Sequence, residues 1–353
     1  MANRRMAALV AVAVLGSLSA CKSSNNSSGN VEISGAGSTF VNPVMTRWTA
    51  DFTKLHPNVL INYQSIGSGG GIQQVKAKTV DFGASDVALK DDQLATMQPL
   101  VQIPETAGPV CITYNLPGLD QPLKLSPDAL AGIFLGTIKS WQDPKLTKEN
   151  PGVKLPKLPV IVSHRSDGSG TTGIFTEYLS AVSPDWKTKV GSGTAVSWPV
   201  GIGGKGSEGV TGNIRNSPGA IGYVELSYAQ QNNLPTALIE NQAGQFVAPT
   251  AAGTTADIAA FSAQISQDPR QPIVNPPANA PDAYPISGLT FLLVPKDGAD
   301  QAKRAALKEF IQYIITDGQA TAGTLSYAPL PDSVKQYDQQ QLQQLTANGQ
   351  PLN

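Results

Sequence analysis

Short apolar runs alternate with helical periods along nearly all of the chain, and no other feature restricts its possible folds as much. Val59–Ser65 (VLINYQS) alternates as a half-buried strand does, while Val80–Ala84 (VDFGA), Val110–Tyr114, Val160–His164, Ala220–Val224 and Leu289–Val294 are short runs of buried character. Between them lie helical periods. Pro43 opens one with Val44, Trp48 and Phe52 at i, i+4 spacing, and Ile174, Phe175, Tyr178, Leu179 and Val182 form another. Regular succession of strand and helix predicts an α/β fold with parallel-rich sheets. At 353 residues the chain is long enough for two domains of ordinary size, each with its own core. Val31–Ser34 reads as a strand stub. Pro269–Pro285, with six prolines, reads as an extended surface loop, and Gln339–Gln344 as part of a terminal surface helix.

Residues 1–20 stand outside this pattern. Arg4 and Arg5 precede an apolar run, Met6–Leu15, that is too short for the roughly 20 residues a bilayer span takes. Leu18-Ser19-Ala20-Cys21 resembles the lipobox of bacterial lipoproteins, in which the cysteine is diacylated and becomes the mature N-terminus. Residues 1–20 are therefore expected to be a lipoprotein signal peptide, with an ordinary secretory signal as the alternative. Residues 21–30, rich in Ser and Asn, would be a flexible tether from the lipid anchor, placing the protein outside the cytoplasm on a bacterial membrane. Cys111 then has no partner for a disulfide and is expected to be a buried small hydrophobe.

Composition removes several function classes. A formal net charge of -1 and 6% aromatic residues leave neither the basic stripe nor the stacking rings that nucleic-acid binding uses. Two cysteines do not make a zinc site or a disulfide scaffold. No G-x-S-x-G elbow, H-E-x-x-H or Walker A run occurs. Gly201–Gly206 (GIGGKG) matches G-x-G-x-x-G formally, but Pro199 interrupts the run before it, so a loop is expected there. Ser169 as nucleophile with His164 as base is the catalytic alternative, though local spacing does not establish a triad.

Three places share one construction: a strand ends, a Gly/Ser/Thr turn follows, and a helix begins. They are Gly37-Ser38-Thr39-Phe40, Gly67-Ser68-Gly69-Gly70 and Asp167-Gly168-Ser169-Gly170-Thr171-Thr172. The first N–H groups of a helix lack internal partners and sit at the positive end of its dipole, so each turn is a candidate anion cradle as well as an ordinary N-cap. Arg165 ends an apolar strand just before the third turn, with Asp167 placed to hold its guanidinium. Asp86 is out of keeping with an anion site unless the anion brings a proton. Monohydrogen phosphate does so near neutral pH and sulfate does not, which makes Asp86 a candidate discriminator; a helix N-cap is its plainer role.

GAGSTF, YQSIGSGGGIQQ, VDFGASD, RSDGSGTT, GGKGSEGV, PGAIGYVE and YAPLPDSV follow one another in the order, and nearly the spacing, seen in the phosphate-binding proteins of bacterial phosphate-specific ABC transporters, and the chain resembles that family over most of Val31–Val334. The resemblance implies a two-lobe periplasmic-binding-protein fold of the class II type, with a hinge and an interlobe cleft. Residues 31–107 and 286–353 would form lobe I and 108–285 lobe II. It implies that Thr39, the backbone N–H of Phe40, Ser68, Asp86, Arg165, Ser169, Gly170 and Thr171 bind phosphate, with Asp167 pairing with the arginine. It implies no cofactor, no metal and no catalysis. The expected partners are inorganic phosphate and the permease subunits of an ABC transporter, with the protein itself acting as a monomer. A receptor for sulfate or molybdate, or a secreted phosphohydrolase, are the alternatives. His164 and a long Pro269–Pro285 stretch depart from the family pattern.

Overall fold

The computed structural model describes residues 30–352. The signal sequence, Cys21 and nearly all of the tether lie outside the described residues. The first elements are β1 (Val31–Gly37), α1 (Asn42–Leu55), β2 (Val59–Ser65), α2 (Ser68–Lys76), β3 (Phe82–Ser85), α3 (Asp91–Leu94) and β4 (Leu100–Tyr114). They are followed by β5 (Lys124–Leu125), α4 (Pro127–Phe134), α5 (Pro144–Glu149), β6 (Ile161–Arg165), α6 (Gly170–Val182), α7 (Pro184–Lys189), β7 (Ile202–Gly204) and α8 (Gly206–Asn216). Next come β8 (Ala220–Glu225), α9 (Leu226–Gln231), β9 (Leu238–Glu240), β10 (Phe246–Val247), α10 (Ala251–Ala260) and α11 (Ser262–Gln267). The chain ends with β11 (Ser287–Pro295), α12 (Gln301–Ile315), α13 (Gly318–Thr324), α14 (Asp332–Leu342), β12 (Thr346–Ala347) and β13 (Gln350–Pro351). Among the described residues no helix is long and apolar enough to cross a membrane.

A continuous eight-stranded sheet has the order β2-β1-β3-β11-β4-β8-β6-β7. Its flanks are parallel, as the strand–helix alternation predicts: β1 pairs with β2 and β3, and β6 with β7 and β8. Its centre is antiparallel, because β11 returns from late in the chain to lie between β3 and β4. Strand β4 serves both halves. Its first part, Leu100–Pro109, pairs with β11, and Val110–Tyr114 pairs with β8. The register of β4 against β11 shifts between Thr290 and Phe291, leaving Glu105 as the extra residue of a bulge, a device that bends and twists a strand. The molecule is thus two curved half-sheets that share one long strand.

One apolar cluster runs along both half-sheets. On the first, the α1 residues Trp48 and Phe52 pack with Phe82 and with Phe310 of α12, and Trp48 Nε1 donates to Gly318 O at 2.7 Å. On the second, Phe134 meets Phe175 edge to face and Phe175 stacks on Tyr223, with ring centroids 4.7 and 4.6 Å apart. Ile258 of α10 and Ile265 of α11 pack with Ala36, Val75, Leu289 and Leu293, so this helical pair covers the first half-sheet. Cys111 is buried and free, as a small hydrophobe in β4.

Two expectations need correction. Gly201–Gly206 is not a loop: Ile202–Gly204 pairs with Ser163–Arg165 as edge strand β7, and after Lys205 the chain enters α8. Pro199 precedes the strand rather than interrupting it, so it removes no ladder hydrogen bond. The 268–286 stretch has no helix or strand, but it is not simply a surface loop. Ile273, Ala283 and Tyr284 are buried, and Tyr284 Oη donates to Val110 O at 3.0 Å.

Gly37 closes β1 where three strands end together. Its carbonyl accepts from Ile66 N–H and Gly67 N–H at 3.0 and 2.8 Å, while Ser38 N–H donates to Ala84 O at 2.9 Å. Its φ is +148°, and a Cβ there would lie 2.1 Å from the Ala84 carbonyl oxygen, so neither dihedral nor space admits a side chain. Gly37→Ala is expected to lower unfolding stability by about 2–3 kcal/mol, read as a drop in urea midpoint at unchanged slope. An unchanged midpoint would show that the strand ends can separate freely.

Candidate functional site

The parallel strands bring their C-terminal ends to one place, where an α/β sheet commonly binds its ligand. Strand β1 runs into Ser38-Thr39-Phe40 ahead of α1, β2 into Gly67 ahead of α2, and β3 into Asp86. From the other half-sheet, β6 ends at Arg165 ahead of α6 and β7 at Gly204 ahead of α8. Gly67 has φ +85°, and a Cβ there would lie 2.4 Å from Asp167 Oδ2, so only glycine lets α2 approach the opposite half this closely.

Hydrogen bonds join the two sets of turns. Arg165 Nε and Nη2 donate to Asp167 Oδ1 and Oδ2 at 2.8 and 2.6 Å, a two-pronged pair, and Arg165 Nη1 donates across to Thr39 Oγ1 at 3.1 Å. Asp167 Oδ1 also accepts from Gly206 N–H, the first residue of α8, at 3.0 Å. Thr39 Oγ1 further accepts from Ser207 N–H at 3.3 Å and pairs with the Ser207 hydroxyl at 2.9 Å. Ser68 Oγ accepts from the N–H groups of Asp86 and Gly170 at 3.2 and 3.1 Å. Because two N–H groups occupy its lone pairs, the Ser68 hydroxyl has only its proton left to offer. Asp86 Oδ1 accepts from the Ser38 hydroxyl, and Oδ2 from Thr171 Oγ1 at 3.0 Å. Behind the site, Tyr223 Oη accepts from Arg165 N–H at 3.1 Å and pairs with Thr172 Oγ1 at 2.6 Å, tying the end of β6 to α6.

Asp167 is partly exposed, but the rest is out of water: Ser38, Thr39, Ser68, Asp86, Arg165, Thr171 and Ser207 are each at most 4% exposed. Burial pushes Asp86 up from 3.8 to about 6, against the opposing pull of the Ser38 and Thr171 hydroxyls and the Arg165 charge. Burial would likewise raise Asp167, but hydrogen bonding and charge from Arg165 outweigh it and hold this carboxyl below its ordinary value. Burial would lower Arg165, and pairing with Asp167 raises it instead. The result is one permanent cation, a ring of hydroxyl and backbone donors, the N-termini of helices α2, α6 and α8, and one carboxylate as the acceptor. Such a set suits a tetrahedral oxyanion that carries a proton.

The residues singled out in the sequence come together here. Thr39, Ser68, Asp86, Arg165, Asp167, Gly170 and Thr171 are linked by the bonds above. Phe40 is fully buried, and among the described residues no protein group accepts from its backbone N–H. Ser169 fills the N-cap role of α6, its Oγ accepting from Thr172 N–H at 3.0 Å. It makes no hydrogen bond to His164, whose Nδ1 faces Arg165 O at 3.0 Å and whose ring stacks on Trp198. Asp86 is not an N-cap; both its oxygens serve the cluster. Sequence reasoning missed Ser38 and Ser207. Ser207 lay hidden in GGKGSEGV, where the strand and helix on either side went unrecognised; Ser38 was passed over beside Thr39. Among the described residues no group of His, Cys, Asp and Glu could hold a metal ion.

Comparisons with known proteins agree with this geometry. A family profile described as the PBP superfamily domain matches residues 23–318. The chain is 45% identical to the phosphate-binding protein PstS of Xylella fastidiosa (strain Temecula1), over 88% of this chain and 84% of that one. It is 44% identical to the PstS of Pasteurella multocida, over 88% and 89%. Among solved structures, a high affinity periplasmic phosphate-binding protein bound with phosphate shares the fold, with a TM-score of 0.69 and 24% identity over 87% of this chain and 92% of that one.

The raised Asp86 carboxyl has a consequence for stability. Between about pH 4 and pH 6 the folded protein holds a proton there that the unfolded chain has released, so Asp86 costs stability as pH rises through that window. Asp86→Asn removes this cost. In the ligand-free protein, the variant's unfolding free energy is expected to gain on the wild type by up to about 3 kcal/mol between pH 4 and pH 7. Parallel pH curves from urea unfolding would show instead that Asp86 titrates normally.

Proposed function

The chain belongs to the PstS family of phosphate-binding proteins, and from that premise we propose how it carries out the family's work: it binds inorganic phosphate outside the cytoplasm and delivers it to the permease of an ABC transporter for import. Phosphate is held between the lobes by Thr39, the N–H of Phe40, Ser68, Arg165 and the α6 N-terminus at Ser169-Gly170-Thr171. Ser38 and Ser207 join this set, since they share the same buried cluster. Asp86 accepts the proton of the bound anion, and Asp167 holds Arg165 in place. The protein is a receptor and not an enzyme: Ser169 caps α6, and the ring of His164 is engaged with Arg165 O and Trp198 rather than with the Ser169 hydroxyl.

One observation carries the reading: a single buried carboxylate faces a site otherwise made of donors. Donors alone would take any small oxyanion. An acceptor adds an attraction for an anion with a proton and a repulsion for one without, and the repulsion does most of the discriminating. Hydrogen bonds to the charged oxygens, each worth about 1.5–3 kcal/mol, offset the loss of the anion's water. Closure of the lobes strengthens them by lowering the local dielectric. The proposed division is 31–107 with 286–353 against 108–285, except that α10 and α11 pack on the first lobe with Ala36, Val75, Leu289 and Leu293. The hinge then lies where β4 passes from β11 to β8 and where the chain returns between β10 and α10.

Export and anchoring follow from the N-terminal sequence. Diacylated Cys21 holds the protein on the outer side of a membrane, with 21–30 as the tether and one copy of the chain per site. Cys21→Ala is expected to move the protein from the detergent phase to the aqueous phase of a membrane extract; retention in the membrane would remove the anchor.

Calorimetric titration of the Cys21→Ala protein, stripped of bound phosphate by unfolding and refolding, tests the binding claim. One-to-one phosphate binding with no heat from sulfate is expected, and Asp86→Asn should lose at least about tenfold in phosphate affinity while gaining measurable sulfate binding. Equal binding of both anions by the wild type would remove the role of Asp86. Binding of neither would remove the transport function.

A further inference from the structure

The lobes also touch where no proposed phosphate donor is involved, and we propose that helix α6 is a latch whose docking through Gly173 onto Val87 sets how tightly phosphate is held. This inference rests on the phosphate-binding function above. Gly173 lies one turn beyond the proposed donors of α6, and Val87 directly follows Asp86 on the opposite lobe. A Cβ at position 173 would lie 2.7 Å from Val87 Cγ1, closer than carbon atoms approach. One residue further along α6, Ile174 fills the space over Gly288 of β11, where a Cβ would lie 2.3 Å from Ile174 Cδ1. On the other flank of the site, Gly69 N–H donates to Gly168 O at 2.9 Å, a backbone bond between the lobes. Protein thus meets protein on both sides of the anion site, independently of the anion.

Contacts that exist only in the closed form act on affinity through the closed fraction. The apparent dissociation constant is the intrinsic one divided by the fraction of molecules competent to close, so a contact remote from the ligand changes affinity without touching a donor. Gly173 separates this effect from ordinary destabilisation. Inside its own lobe, the nearest atom to a Cβ at 173 would be Thr194 Cγ2, at 3.8 Å, which is normal contact. Alanine is also the better helix former, so Gly173→Ala leaves lobe II as stable as before or more so. The added methyl has somewhere to clash only when the lobes close, against a β-branched side chain with little rotamer freedom. Val87→Ala removes that obstacle.

The test compares the wild type, Gly173→Ala, Val87→Ala and the double variant by calorimetric titration with inorganic phosphate, and by thermal melting without it. Gly173→Ala is expected to bind phosphate at least about tenfold more weakly than the wild type, with an unchanged or higher phosphate-free melting temperature and sulfate still excluded. The double variant is expected to recover affinity to within about threefold of Val87→Ala alone. Equal affinity of wild type and Gly173→Ala would overturn the latch and leave the phosphate function intact. So would a loss that Val87→Ala does not rescue, or one that accompanies a lower phosphate-free melting temperature. A wild type that binds no phosphate would overturn both.

Discussion

A guanidinium buried where two half-sheets meet is the constraint around which the rest of this structure is arranged. Arg165 is 4% exposed, and a charge there is tolerable only because Asp167 meets it with both oxygens. Asp167 in turn fixes the first turn of α8 through Gly206 N–H, and Arg165 reaches Thr39 on the other half-sheet. Removing the carboxylate would leave an unpaired buried charge, which typically costs about 3–5 kcal/mol. One ion pair therefore orders three turns from two half-sheets.

Against that fixed positive centre, the proposed role of Asp86 is a matter of balance. A carboxylate beside an anion site weakens binding for every ligand unless a proton lies between them. Burial already draws the Asp86 carboxyl up to about 6, so the protein carries this group at a cost even before an anion arrives. The two hydroxyls that donate to it, from Ser38 and Thr171, come from turns on opposite half-sheets. They keep it oriented, and a bound anion would have to share or replace those bonds. Affinity and selectivity then have different origins. In the proposed function, selectivity comes from Asp86, and in the proposed latch part of the affinity comes from how well α6 docks on the facing half.

Much of this was legible in the sequence because its causes are local. A strand end, a glycine turn and a helix start within a few residues of one another place Thr39, Ser68 and Thr171 with little help from the rest of the fold. Arg165 and Asp167, two apart, form their pair within one turn. The segments shared with phosphate-binding proteins supplied what spacing could not, namely that these turns face one another. What stayed hidden depends on distant partners. Strand β7 is three residues long and exists because Ser163–Arg165 is there to pair with it, so Ser207 at the start of α8 could not be placed. The antiparallel centre of the sheet depends on β11 inserting beside β4 from about 180 residues further along the chain, as Thr290 opposite Thr106 illustrates. Periodicity alone carries no such information.

The central claim is that Asp86 receives a proton-mediated hydrogen bond from the bound anion. A crystal structure of the phosphate complex near neutral pH tests it most directly, through the distance from the Asp86 carboxylate to the nearest phosphate oxygen. The account predicts one short contact of about 2.5–2.7 Å to a single phosphate oxygen, with Arg165 and the hydroxyl donors on the others. A carboxylate turned away from the anion, or separated from it by water, would contradict it.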